Sequence, residues 1–138
     1  MEKLSVQTSL RCELVDITAQ ISRIVASEGV GQGIVMVYVP HTTAGVTINE
    51  NADPDVGTDL LGVLEHLVPR SGSYRHLEGN ADAHVKASLV GSSATILWEE
   101  GNMKLGTWQG IYLAEFDGPR RRQVYVQVLR ELSTDAKQ

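Results

Sequence analysis

An α+β domain is predicted by three features of this 138-residue sequence. Apolar residues alternate with a period of two at the N-terminal end, two later segments carry apolar residues at helical spacing between capping residues, and the final third reads as short strands separated by turns. Antiparallel strands with two or three helices in one chain place sheet against sheet or against helix. The whole chain, residues 1–138, is read as one domain, because nothing repeats at a fixed period and no linker interrupts it.

Leu4, Val6, Thr8, Leu10, Cys12 and Leu14 alternate without a break, which predicts one long half-buried strand. Thr18 is then placed to cap a short helix carrying Ile21, Ile24 and Val25, with Gly29 where a helix end favours a left-handed residue. "GIVMVYVP" is β-branched and nearly all apolar, a strand expected to be buried on both faces and closed by Pro40, and "GVTINE" alternates Val46, Ile48 and Glu50 after it. His41 falls at the strand end or in the link between the two. Asp53 before Pro54 is an N-cap followed by a first-turn proline, and Val56, Leu60, Val63, Leu64 and Leu67 recur at helical spacing up to Pro69. "RSGSYRHLEGN" has loop composition, after which Asn80 can cap "ADAHVKASLV" up to Gly91. The remainder predicts strands over "ATILW", "KLGTWQGIYLAEF" and "QVYVQVLREL", with turns at "EEGN" and "DGPRRR".

Composition excludes several function classes. A net charge of −5 argues against a dedicated nucleic-acid binder, which needs a positive field; "PRRR" alone is locally basic and reads as a solvated hairpin tip. The longest apolar run, "IVMVYV", falls far short of the roughly 20 residues that span a bilayer, so no membrane association and a cytoplasmic location are expected. Cys12 is the only cysteine, which excludes an internal disulfide and a thiolate zinc cluster, so a metal site would be built from histidine and carboxylate.

His66 lies one residue off the apolar stripe of its helix and is expected at the surface. His41, His76 and His84 each sit beside small or polar residues at the edge of an element, where imidazoles can converge without disturbing a core. Three neutral imidazoles and a water make a common open site for a divalent ion, zinc or magnesium here, with His41 and His84 also candidates for catalysis. Asp53 and Asp55 are explained by capping and the helix dipole. Glu50, flanked by Asn49 and Asn51, has no such explanation and is a candidate catalytic acid on a polar pocket floor. In "GTWQG", Gly106 and Gly110 mark a bulge or a close approach, and Trp108 and Gln109 between them are candidates for binding a flat heterocycle. Both an enzyme and a binding module without turnover account for the histidines; Glu50 and Trp108 separate them.

In order and spacing, "HTTAGVTINENADPDVGTDL", "YRHLEGNADAHVKASLVGSS" and "GTWQGIYLAEFDGPRRRQVYVQV" resemble the motifs of the YjbQ-like family, also called secondary thiamine-phosphate synthase, over residues 5–130. The resemblance implies a β-sandwich-like core and a homotrimer, whose interfaces would cover the second face of the apolar strands, and a site that need not be built from one chain. It implies a small-molecule substrate and the joining of a pyrimidine pyrophosphate to a thiazole phosphate with loss of pyrophosphate. Lys86, Arg75 and the Arg120–Arg122 turn then stand as candidates for the phosphates, and Trp108 for the pyrimidine. The hairpin in "ILWEEGNMKLGTWQG" resembles the family only in outline.

Overall fold

The computed structural model describes residues 1–132 and is an α+β sandwich of two antiparallel sheets. The strands are β1 (Glu2–Gln7), β2 (Glu13–Asp16), β3 (Gln32–Tyr38), β4 (Ala44–Glu50), β5 (Ser93–Glu99), β6 (Asn102–Met103), β7 (Gln109–Glu115) and β8 (Arg121–Arg130). The helices are α1 (Thr18–Ala26), α2 (Pro54–Leu67) and α3 (Ala81–Val90). One sheet has the order β1-β8-β3-β5-β6 and the other β2-β7-β4.

The core lies between the sheets. Val35 and Val37 of β3, Val124 and Val126 of β8, and Ile96 and Trp98 of β5 face Val46 of β4 and Ile111 and Leu113 of β7, with Ile21 and Val25 of α1 completing it. The Trp98 indole N–H donates to the Leu129 carbonyl at 3.1 Å, so the largest buried side chain has its polar atom satisfied. The outer face of the smaller sheet is covered by α2 and α3 through Leu61, Leu64, Ala83 and Ala87 against Ala114, Phe116 and Leu14.

Several expectations need correction. The period-two stretch from Leu4 to Leu14 is two strands in different sheets. At the corner the Thr8 N–H donates to the Arg120 carbonyl at 2.9 Å, and the Glu13 carboxylate accepts the Ser9 and Leu10 N–H groups at 2.5 and 2.8 Å, so local side-chain bonds replace the ladder. Alternation survives because each half has a buried face of its own. Thr18 is the first residue of α1 rather than its cap. Asp16 Oδ1 accepts both its N–H at 2.9 Å and its hydroxyl at 2.6 Å, and the Thr18 Oγ1 so oriented accepts the Ile111 N–H at 2.8 Å and ties α1 to β7. Asn80 occupies the N-cap position of α3 but makes no side-chain cap; its amide donates to Asp117 Oδ2 at 2.9 Å instead.

β3 buries one face only. Val35 and Val37 point inward, Ile34 and Met36 are half-buried, and Tyr38 is 45% exposed. The strand expected over "KLGTWQGIYLAEF" begins at Gln109, because Gly106 to Trp108 turn the chain into β7. An added Cβ at Gly110 would lie 2.5 Å from Asn51 Nδ2, so the glycine admits a neighbouring side chain of this same protein. α2 starts as expected, with Asp53 Oδ1 accepting the Asp55 N–H at 2.9 Å, yet no residue of the helix is fully buried. Its apolar stripe is only partly covered, and Val63 and Leu67 remain open.

Candidate functional site

Two features fix His41 in the link between β3 and β4. Pro40 cannot extend the ladder of β3, and the imidazole Nε2 accepts the backbone N–H of Gln123 on β8 at 2.9 Å. Burial, and then the nearby Arg122 charge, push the His41 pKa down, so the ring is held neutral. A neutral imidazole whose one nitrogen accepts carries its proton on the other. His41 therefore presents Nδ1–H, a donor, and neither nitrogen offers a lone pair for a metal while the Gln123 bond is in place.

Beneath this loop lies the network that composition concealed. Glu115 is fully buried and Arg122 nearly so. The guanidinium grips the carboxylate through Nε at 2.9 and 3.1 Å and through Nη2 to Oε2, and it also donates to Thr43 Oγ1 at 2.8 Å. Thr8 Oγ1 and the Phe116 and Asp117 N–H groups complete the acid at 2.7, 3.1 and 3.1 Å. Burial alone would raise the Glu115 pKa, but the bonds from Arg122 and Thr8 outweigh it and the acid is held below its ordinary value. The arginine turn is thus not uniformly solvated: Arg122 alternates inward with Val124 and Val126, and this parity was the sequence signal that a count of basic residues overlooked. Arg120 stays near the surface, paired with Asp117 at 2.9 Å.

His84 on α3 stands between two hollows. In one, of about 480 Å³, it faces His41, Thr42, Ser88 and Ser92. In the other, of about 310 Å³, it meets Tyr74, Arg75 and His76 of the loop that precedes α3. The His76 and His84 rings are 5.2 Å apart, centre to centre, at 68°. That separation and angle are those of an edge-to-face ring contact, and two imidazoles on one tetrahedral zinc would have their ring centres about 5 Å apart as well. Among the described residues, no three histidine, cysteine, aspartate or glutamate side chains gather around one point within the chain. His66, exposed in the last turn of α2, borders neither hollow.

The remaining expected residues are elsewhere. Asn49 and Glu50 end β4, opposite Gly110 and Gln109 of β7. β4 has seven residues, so its two ends are about 20 Å apart at about 3.4 Å per residue, with the histidine hollow at the Ala44 end. Trp108 is 62% exposed beside Glu50, its carbonyl accepting the Asn51 N–H at 3.0 Å, and Gln109 Oε1 accepts the Gly106 N–H at 2.7 Å. Lys86 is 1% exposed and held by Asp82 at 2.9 Å and by Glu65, with Arg11 on the other side of Asp82 at 3.0 Å. Burial opposes the Lys86 charge, but its bonds to Glu65 and Asp82 raise the pKa above the ordinary value. Its charge is spent in joining α3 to α2 and to the corner after β1, and it is not free for a substrate phosphate.

No helix among the described residues is long and apolar enough to cross a membrane. The profile of the family described as UPF0047 protein YjbQ-like matches residues 2–131. A UPF0047 protein of Methanocaldococcus jannaschii is 55% identical over 127 residues, covering 92% of both chains. The UPF0047 protein YugU of Bacillus subtilis is 45% identical over 94% of this chain and 98% of its own. The crystal structure of a YjbQ/UPF0047 protein from Clostridium acetobutylicum superposes with a TM-score of 0.91 at 52% identity, over 94% of this chain and all (100%) of that one. A YbjQ-like protein of unknown function from Sulfolobus solfataricus gives 0.90 at 36% identity, over 94% and 96% of the two chains. With the fold, the motif order and nearly the full length in agreement, the chain belongs to the YjbQ-like UPF0047 family.

Proposed function

We propose that this protein is a divalent-metal-assisted enzyme acting on small phosphorylated heterocycles, with thiamine-phosphate-synthase-type transfer as the reaction to test first. The observation that carries the reading is the His76–His84 pair, 5.2 Å apart, beside a hollow lined with hydroxyls and imidazoles. Imidazole ligands suit zinc better than magnesium, which prefers oxygen donors. A bound ion would stabilise negative charge on a departing pyrophosphate. The chain's own part is to hold His84 on a helix whose Lys86 and Asp82 are locked in ion pairs, and to hold His41 over the Glu115–Arg122 network, so that neither ring needs reordering when substrate arrives.

The outer face of the five-stranded sheet supports a homotrimer. Ile34 and Met36 are only half-buried there, and Tyr38, Leu97 and Leu129 are 45, 64 and 48% exposed. A neighbouring subunit is also what could bring a Glu50 and a Trp108 to these histidines, since those of the same chain lie about 20 Å away along the strand. That separation equally favours the second reading, a trimeric metal- or ligand-binding protein without turnover. The test is metal analysis of purified protein together with an assay of thiamine phosphate formed from the pyrimidine pyrophosphate and the thiazole phosphate. Stoichiometric zinc and product, both lost in His76→Ala and His84→Ala, support the enzyme; zinc without product leaves the binding protein; neither zinc nor product sinks both.

A further inference from the structure

We infer that the hollow between the 41–43 loop and α3 is an oxyanion subsite that takes the phosphoryl group of a small molecule through donors of the protein itself, before and apart from any metal. The inference deepens the proposed function, because it assigns the phosphate end of the substrate to one side of His84 and the metal to the other.

Three observations converge on an anion. The first is His41. Its Nε2 is occupied by the Gln123 N–H at 2.9 Å, so the neutral ring offers Nδ1–H, and that nitrogen makes no hydrogen bond to any described residue. The second is the rest of the lining. The Thr42 and Ser92 hydroxyls likewise have no partner among the described residues, while Ser88 is already committed to the His84 carbonyl at 3.0 Å. The third is what the lining lacks: no aspartate or glutamate borders the hollow. Glu115, the nearest acid beneath the loop, is fully buried and fully engaged by Arg122, Thr8 and two backbone amides, so it presents no repulsive oxygen. A group with several acceptor oxygens pointing in different directions matches donors arriving from His41 and Thr42 of the loop and from Ser92 just before β5, and a phosphoryl group is such an acceptor.

The arrangement also gives the Glu115–Arg122 pair a role beyond stability. Arg122 bonds Thr43 Oγ1 at 2.8 Å, and the next residue, Gln123, supplies the N–H that fixes the His41 ring. These two bonds hold the loop from both ends, so the donors are set before the anion arrives and little ordering entropy is lost on binding. Arg122 is a positioning residue here, since its guanidinium is turned to Glu115 and Thr43 and does not border the hollow.

The test uses chelator-treated, metal-free protein titrated with inorganic phosphate and with pyrophosphate, followed by amide shifts and by nitrogen-15 spectra of the histidine rings. The free protein should show His41 as the Nδ1–H tautomer, and phosphate should shift that resonance together with Thr42 and Ser92. Thr42→Val, at an exposed position, should weaken binding three- to tenfold with unchanged melting. His41→Leu should weaken it tenfold or more, with His41→Gln, which keeps a donor, recovering part. His76→Ala should bind phosphate as wild type. Binding that appears only with zinc and vanishes in His76→Ala places the anion on the metal and overturns this subsite while leaving the metal reading intact. Phosphate bound by a protein that takes up no zinc does the reverse. Acetate binding as tightly as phosphate, or no binding of either, also overturns it.

Discussion

The two ends of β4 carry polar residues of similar promise in the sequence, but they are built on different physics. At the Ala44 end, His41 and Thr43 rest on an ion pair sealed from water, with Glu115 Oε1 accepting two hydrogen bonds and Oε2 four. At the Glu50 end, Asn49 is exposed and accepts the Glu50 N–H on its own side chain at 2.7 Å, and Trp108 stands largely in water. The first end is over-determined and the second is held by local, solvent-facing bonds. Of the two ends of β4, the Ala44 end is thus preorganised and the Glu50 end is open to solvent.

The sharpest way to break this contrast is to remove one member of the buried pair. Arg122→Ala leaves the buried Glu115 without its countercharge, though still bonded to Thr8 and two backbone amides, and should cost about 3–5 kcal/mol in denaturant unfolding. Glu50→Ala should cost less than about 0.5 kcal/mol. Comparable losses at both ends would show that the buried network is not what separates them.

Acid should expose the same asymmetry. Burial works to raise the pKa of Asp82, Glu115 and Asp117, yet hydrogen bonds from Arg11, from Arg122 and from Asn80 prevail and all three lie below their ordinary values. Groups depressed on folding contribute stability that is fully present above their unfolded values of about 4, and it is lost as pH falls through the lower folded ones. Unfolding free energy should fall steeply below about pH 4 through these carboxylates, after a shallower fall that begins at about pH 6.5 through His41, whose pKa is also lowered on folding. In Glu115→Gln the acid branch should be shallower; an unchanged slope would mean that this carboxylate is not depressed.

At the start of α2, Asp53→Ala should cost about 1 kcal/mol through the lost cap without changing zinc content. A fall in zinc would assign that acid to the site. The least effect on stability belongs to a test of whether the two ends meet across subunits. Mixing Glu50→Ala with His84→Ala protein should restore part of the synthase activity if one subunit's acid serves another's histidines, and none if each site is confined to its own chain.

Much of the fold was legible because its causes are local. Asp53 before Pro54 needed only the helix that follows it, and "EEGN" turned as read, with Glu100 and Gly101 at φ of +50° and +76°. The corner after β1 was not legible, because the alternation continues across it although Leu4 and Val6 face the core between the sheets, Leu10 is exposed, and Cys12 and Leu14 face the helices. For the candidate site, placement at element edges singled out His41, His76 and His84, and the structure sets them around two adjoining hollows. Lys86 was misread because its charge looked free until Asp82, one helical turn earlier, and Glu65 of α2 closed on it.

Alone, the sequence determined the α+β class, the positions of the helices and most strands, the exclusion of an internal disulfide, and the histidines with edge positions. Those follow from periodicity, capping and residue count, each a property of short stretches of chain. Tertiary structure decided which polar residues are spent on the fold and which are left for a ligand. Arg122 and Lys86 went to buried carboxylates, His41 became a donor because a backbone N–H 82 residues away takes its other nitrogen, and Glu50 was carried to the far end of the strand. The pairing of a charge or a ring nitrogen depends on groups distant in the chain, and in a low-dielectric interior that pairing settles what the side chain can do.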